Sequence, residues 1–155
     1  MPLPKVAILT GSKSDVPTLD VCVETLGKLG IEHELHVMSA HRAPAKVQAF
    51  ATGAAEAGFE VIIAAAGMAA HLPGVVAAQT ALPVIGVPIA QSGGSSVSGM
   101  DALLSIAQMP PGIPVACMAV NGAKNAALYA GAILALKHDS VRQKLLAFRD
   151  EQAKA

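Results

Sequence analysis

The sequence predicts a three-layer α/β fold, a doubly wound, parallel, open sheet with an extra C-terminal helix. Three observations carry that reading. Short apolar, β-branched runs alternate five times with amphipathic or Ala-rich stretches across short connections. The strongest runs are continuously apolar, as in strands covered by helices on both faces. The chain has 155 residues, 53% of them hydrophobic and only 3% aromatic. That composition makes one aliphatic, Ala-rich core, so a single domain over residues 1–155 is expected.

In chain order, Lys5 to Thr10 (KVAILT) reads as a buried strand ending at Gly11. Val16, Leu19, Val23, Leu26 and Leu29 recur at helical spacing, and Gly30 stops that helix. Ile31 to Met38 is a weaker strand carrying His33 and His36. Pro44 opens an Ala-rich helix that extends to Gly58. Val61 to Ala66 gives the strongest strand signal, followed by a short helix from Pro73 to Thr80 and a strand from Pro83 to Val87. Ser92 to Gly99 (SGGSSVSG) reads as a flexible loop before a helix around Asp101 to Gln108. Pro114 to Val120 is the fifth strand, and Ala123 to Leu136 a long Ala-rich helix. Ser140 and Gln143 form a capping-box pattern for the last helix, with Val141, Leu145 and Phe148 as its apolar face. The order is flavodoxin-like, and in such sheets ligands are expected at the carboxyl ends of the strands.

Composition excludes several functions. Eleven basic residues balance eleven acidic ones, and there is no Trp, one Tyr and three Phe. The chain therefore lacks both the basic face and the stacking platforms of a nucleic-acid binder. No residue between Glu60 and Asp101 is formally charged, but Gly67, His71, Pro73, Gly74, Pro83, Gly86 and Pro88 cut the stretch. A membrane span needs about 20 continuous apolar residues, so none is expected. Cys22 and Cys117 each sit in an apolar run and read as a reduced, buried pair. The first residues lack the pattern of a secretory signal, which makes the cytoplasm the expected location.

Three strand ends carry chemistry. After the first come Gly11, Ser12, Lys13, Ser14 and Asp15, hydroxyls and free backbone N–H groups before a helix. That is either an anion site or plain capping by Ser14 or Asp15, and it is neither a Walker loop nor a dinucleotide fingerprint. After the second come Ser39, Ala40, His41 and Arg42, a proton carrier beside a phosphate fork. After the third come Gly67 and then His71, the sole titratable group of the uncharged stretch. His33, His36 and His138 fit no site pattern, and no metal-ligand spacing is present.

Together Gly11-Ser12-Lys13-Ser14-Asp15, Ser39-Ala40-His41-Arg42 with Pro44, and Ala70-His71-Leu72-Pro73-Gly74 closely resemble the N5-carboxyaminoimidazole ribonucleotide mutases of purine biosynthesis, the PurE proteins. Gly86-Val87-Pro88, Ser105-Ile106, Gln108-Met109-Pro110, Gly112-Ile113-Pro114-Val115 and Asn125-Ala126-Ala127-Leu128 extend the resemblance from Val6 to about Arg149. The resemblance implies a carboxyl shift without metal, ATP or other cofactor, turning N5-carboxyaminoimidazole ribonucleotide into 4-carboxyaminoimidazole ribonucleotide by way of trapped carbon dioxide. It implies His41 as the catalytic acid and base. Gly11, Ser12, Ser14, Asp15, Ser39, Ala40 and Arg42 would hold ribose and phosphate, and His71, the second catalytic candidate, would belong with substrate-binding Gly67 to the loop closing on the reacting end. An ATP-dependent carboxyaminoimidazole ribonucleotide synthetase would supply the substrate.

The chain departs from the family pattern at Ala65 and Met68, where Gly is usual, at Ala43, where Thr is usual, and in a longer 92–99 loop. A sister class carboxylates aminoimidazole ribonucleotide directly with carbon dioxide; Arg42 and His71 favour the mutase. A phosphoacceptor domain would need an acid where Ala65, Ala66 and Gly67 stand, and a flavin carrier would need aromatic walls. A non-catalytic nucleotide-binding module would have no use for His41. The resemblance also implies a homo-octamer. Independently, so apolar a chain has too little polar surface to cover itself, and the small residues of Ala123 to Leu136 suit subunit contacts.

Overall fold

The structure, a computed structural model, describes residues 2–91 and 97–155. Its elements are β1 (Lys5–Thr10), α1 (Val16–Lys28), β2 (Glu32–Val37), α2 (Pro44–Gly53), β3 (Val61–Gly67), α3 (Leu72–Ala77), β4 (Val84–Ile89), α4 (Met100–Ala107), β5 (Ala116–Cys117), α5 (Ala123–Leu134) and α6 (Asp139–Ala153). A single 3-10 turn, Lys13–Asp15, separates β1 from α1. The sheet order is β2-β1-β3-β4-β5 with all pairs parallel, the flavodoxin-like arrangement. The chain moves outward from β1 to β2 and then crosses back to β3. The crevice between the carboxyl ends of β1 and β3 is therefore its switch point.

Alternate residues of β1 and β3 feed two separate cores. Val6, Ile8 and Ile63 pack beneath α1 and α5, with Leu19, Leu26 and Ala127, while Leu9, Ile62 and Ala64 meet Val47 of α2, Val76 of α3 and Ile106 of α4. Both faces are covered, which is why these strands are apolar without interruption. Burying each large aliphatic side chain contributes about 1.5–3 kcal/mol. β2 lies at the edge and alternates, with Glu32 and Glu34 in solvent. Close helix seating depends on glycine at Gly86, where a Cβ would run into Ile106 Cγ2, and at Gly131, where it would lie 2.8 Å from Leu29 Cδ1.

Gly30 ends α1 as expected. With φ of +71° it closes a left-handed cap in which Ile31 N–H donates to Leu26 O at 3.0 Å and Gly30 N–H to Gly27 O at 3.0 Å. Gly58, at φ +88°, makes the same cap with Phe59 N–H donating to Ala54 O at 3.1 Å. The regular α2 nonetheless stops at Gly53, and residues 54–58 are turns, so the predicted helix to Gly58 is too long.

Other boundaries also move. The short helix spans Leu72–Ala77 rather than Pro73 to Thr80, and the fourth strand runs on past Val87 to Ile89. The predicted strand from Pro114 to Val120 contracts to Ala116–Cys117, because β5 is an edge strand with a single neighbour and Pro114 has no N–H to give. Beyond it the chain stays near β4 through Met118 N–H to Gly86 O at 2.9 Å and Asn121 N–H to Pro88 O at 2.7 Å. The capping box of Ser140 and Gln143 does not form. Asp139 already begins α6, His138 is its N-cap, and the Asp139 carboxylate takes the Gln143 amide at 2.7 Å.

Buried His138 instead holds the start of α6 to the foot of β3. Its Nε2 lies 2.8 Å from Glu60 Oε1, and Lys137 Nζ donates to Glu60 Oε2 at 2.8 Å. Burial alone would push the Glu60 carboxyl up, but the hydrogen bonds and charges of Lys137 and His138 outweigh it and hold it below its ordinary range. Burial pushes the Cys22 thiol up to about 12, whereas Cys117 is only half-buried, not buried as expected; both are free. Residues 92–96 of the predicted flexible loop lie outside the described residues, and Val97 to Gly99 turn into α4. Among the described residues no helix is long and apolar enough to cross a membrane. The small residues of α5 find their partners within the chain: Ala126, Ala127, Ala130 and Gly131 are buried against the sheet and neighbouring helices.

Candidate active site

Four strand ends converge on one cavity of about 330 Å³. At the end of β1 the chain passes Gly11 into the 3-10 turn. Ser12 caps it, its Oγ accepting from Ser14 N–H at 3.3 Å and lying 2.8 Å from Ser14 Oγ. The cap of this turn is thus Ser12 rather than Ser14. Asp15 stands at the N-cap position of α1 without making a side-chain cap bond. Its buried carboxylate faces other donors: Thr10 Oγ1 to Oδ2 at 3.3 Å and Gln91 Nε2 to Oδ1 at 2.5 Å.

At the end of β2, Ser39 organises the turn. Its Oγ accepts from Arg42 N–H at 3.2 Å and its carbonyl from Ala43 N–H at 2.8 Å. Pro44 then starts α2, as the missing N–H of proline allows. This leaves His41 and Arg42 on the exposed shoulder of the turn. Among the described residues the Arg42 guanidinium has no carboxylate partner. A cation at a cavity wall with no internal counter-charge is suited to an anionic ligand.

The end of β3 is tighter. A Cβ on Gly67 would lie 3.1 Å from Ile89 O, so any larger residue would need β4 to give by a few tenths of an ångström there. Met68 follows with φ of +52°. Ala70 N–H then donates to Met68 O at 2.8 Å and His71 N–H to Ala69 O at 2.9 Å. These two successive three-residue turns swing the chain back over the cavity. His71 Nδ1 ends 2.8 Å from His41 Nε2, the rings edge to face at 87°. One nitrogen of that pair must donate and the other accept, so the bond couples the tautomers of the two rings.

The fourth strand end went unread in the sequence. Gln91, two residues past β4, donates its Nε2 to Ser14 Oγ at 3.1 Å as well as to Asp15, tying the fourth strand end to the first turn. Asn121 pins the preceding residue: its Oδ1 accepts from Ala90 N–H at 2.9 Å and its Nδ2 donates to Ala90 O at 3.0 Å.

All ten candidates, Gly11, Ser12, Ser14, Asp15, Ser39, Ala40, His41, Arg42, Gly67 and His71, line this one cavity. Gln91 and Ile89 join them unanticipated, because the apolar pattern ends the fourth strand at Val87 and assigns residues 88–91 to no element. The same strand-end rule that found the other three, applied to β4, would have found Gln91. His33, which lies 2.9 Å from Ile31 O, His36, paired with Glu34, and His138 stand apart from the cavity, as expected. Among the described residues no three His, Cys, Asp or Glu side chains gather as metal ligands would. The sheet order divides the walls: Ser12, Asp15, Ser39 and Arg42 on the β1 and β2 side, Ala66, Met68, Ala69, Leu72 and Ile89 on the β3 and β4 side. The two imidazoles meet across that divide.

Residues 5–155 match the AIR carboxylase family. The chain is 50% identical over 149 residues to the N5-carboxyaminoimidazole ribonucleotide mutase of Pyrococcus abyssi, covering 96% of this chain and 84% of that one. It is 47% identical over 148 residues to the protein of the same name from Thermotoga maritima, covering 96% and 85%. The crystal structure of Treponema denticola PurE superposes with a TM-score of 0.85 at 28% identity, covering 97% of this chain and 92% of that one.

Proposed function

The chain belongs to the AIR carboxylase family, and on that premise we propose that it is an N5-carboxyaminoimidazole ribonucleotide mutase, an isomerase of purine biosynthesis. The observation that carries the reading is the pairing of His41 with His71 at 2.8 Å, between a polar wall fit for a ribose phosphate and an apolar wall fit for carbon dioxide. Arg42 and the hydroxyls of Ser12, Ser14 and Ser39 take the phosphate, and the Asp15 carboxylate takes ribose hydroxyls. The Gly11, Ala40 and Gly67 backbones allow close approach of the ligand.

In the reaction the N–C bond of the carbamate breaks and its electron pair stays on nitrogen, which takes a proton from His41. Carbon dioxide is freed beside the amino-substituted ring. The electron-rich ring carbon then attacks it, and His41 removes the proton that this carbon must lose to restore aromaticity. Atoms and charge balance with no co-substrate, and one group serves as acid and then base. His71 holds the imidazole of His41 in the required tautomer.

The enzyme acts in this reading as a cytoplasmic homo-octamer, fed by an ATP-dependent carboxyaminoimidazole ribonucleotide synthetase. Assembly is supported by apolar side chains left in solvent, Val97 in the turn before α4, Met100 and Leu104 on α4, and Tyr129 and Leu136 of and beyond α5. Assembly near the site would also shape it. The decisive assay supplies each ribonucleotide separately, with chelator and without ATP. Formation of 4-carboxyaminoimidazole ribonucleotide from the N5-carboxy substrate without added bicarbonate is the expected result. Product only from aminoimidazole ribonucleotide with high bicarbonate would assign the direct carboxylase of the sister class, and binding without turnover a nucleotide-binding module. Light scattering at micromolar concentration should give about eight times 15.6 kDa; a clean, active monomer would overturn the assembly.

A further inference from the structure

Among the described residues three other than glycine have positive φ: Met68, Ser98 and Asn121. Asn121 is held there by its paired carboxamide bonds to Ala90, and Ser98 lies in the turn entering α4. Met68 opens the turns after β3 with no side-chain hydrogen bond among the described residues to hold it there. Its side chain is 61% exposed, so little packing in the free protein offsets its left-handed backbone, and a large apolar group stands in water. Glycine would remove both penalties at once. Strain and exposed apolar surface combined at the wall of a cavity point to a role that begins when the cavity is filled.

The surroundings say what that role is. Met68 stands on the apolar side with Ala69, Leu72 and Ile89, across from Asp15 and Arg42. It is the long, unbranched and adaptable side chain of that wall. The backbone leading from Met68 also carries His71 back to His41, so the thioether is anchored three residues from the reacting pair. We infer that Met68 is a sealing residue: on substrate binding its side chain folds over the apolar half of the cavity and retains the carbon dioxide fragment until it is recaptured. This rests on the mutase reading. It adds a residue whose purpose is to keep a small apolar intermediate from exchanging with solvent, a task that hydrogen-bonding groups do poorly.

The test follows the label. The N5-carboxy substrate, with its carboxyl carbon isotopically labelled, is converted in buffer holding unlabelled bicarbonate, and the label retained in the 4-carboxy product is measured. The wild-type protein and Met68→Leu should retain it. Met68→Ala and Met68→Gly should each lose several-fold more label per turnover. Thermal melts separate backbone from side chain: Met68→Gly should raise Tm by about 2–4 °C, and Met68→Ala should leave it near wild type. Equal label retention in all four proteins would overturn the sealing role, and so would a lower Tm for Met68→Gly, because the side chain would then be packing in the free protein. A wild-type protein that makes no product would instead refute the mutase reading itself, a different failure from an active enzyme that leaks no more as Met68→Ala.

Discussion

The contact between His41 and His71 makes a quantitative prediction about how two substitutions combine. Removing His41 as Asn preserves a polar group of similar reach but abolishes proton transfer, which typically contributes about 10²–10⁴ in rate. At about 1.36 kcal/mol per tenfold this is about 2.7–5.4 kcal/mol of transition-state stabilisation. His71 acts through a single hydrogen bond of 2.8 Å, and such a bond is worth about 0.5–1.5 kcal/mol net. His71→Ala should therefore slow kcat by about 2–12-fold, with KM little changed because the side chains of Arg42 and the serines assigned to the phosphate are left intact. Once His41 is gone, the bond has nothing left to orient. The double variant should be no slower than His41→Asn alone, a coupling energy equal to the whole effect of His71. Single-turnover rates with saturating substrate measure all four corners of the cycle. Fully additive losses would show that His71 serves the reaction independently of His41, and a fast His41→Asn would remove it from the chemistry altogether.

Other expectations follow from the same geometry. Arg42→Ala, which removes a cation with no carboxylate partner among the described residues, should raise KM by about 10–150-fold at nearly constant kcat, the equivalent of one charge-assisted contact of about 1.5–3 kcal/mol. Gln91→Leu leaves Asp15 Oδ1 without its 2.5 Å donor, so substrate affinity by calorimetry should fall while the far-UV spectrum stays native; unchanged affinity would mean that the tie does not position Asp15. Glu60 has its folded value held below the ordinary 4.5, so its share of stability is present above about pH 4.5 and is lost as pH falls through that lower folded value. Glu60→Gln should accordingly melt earlier than wild type at pH 7, with the two curves converging in acid. A constant gap in Tm across that range would show that the Lys137 and His138 contacts do not depend on its charge.

Why so much of the fold is legible is visible in β1 and β3. A strand buried on both faces has no freedom to be anything but apolar, and Gly30 and Gly58 take left-handed conformations that mark where their helical segments end. The candidate site follows from a single rule, that ligands gather at strand carboxyl ends, applied to residues whose chemistry was plain. What stayed hidden depends on distance. The bond from Gln91 to Asp15 joins residues 76 apart, and the His pair forms only because the turns after Met68 reverse the chain. Local patterns can also deceive. Ser140 and Gln143 have capping-box spacing, yet Asp139, one residue earlier, captures the glutamine. The fifth strand shrinks because pairing at an edge is decided by a neighbour rather than by its own apolar run.

The side chain of Asn121 presents to Ala90 the same donor and acceptor that a peptide group on an adjacent strand would present. Since β5 is only two residues long, this single carboxamide acts as a splice, prolonging the ladder beside β4 where no strand remains. The last backbone unit before Gln91 is thereby held as if it lay inside a sheet. An aspartate at 121 would keep the shape of the splice but turn its donor into a second acceptor facing Ala90 O. Asn121 lies outside the cavity wall, yet it governs the rigidity of the segment that delivers Gln91 to Asp15. Sequence change at this distant turn can thus retune the site through backbone order alone, with every residue of the cavity wall unchanged.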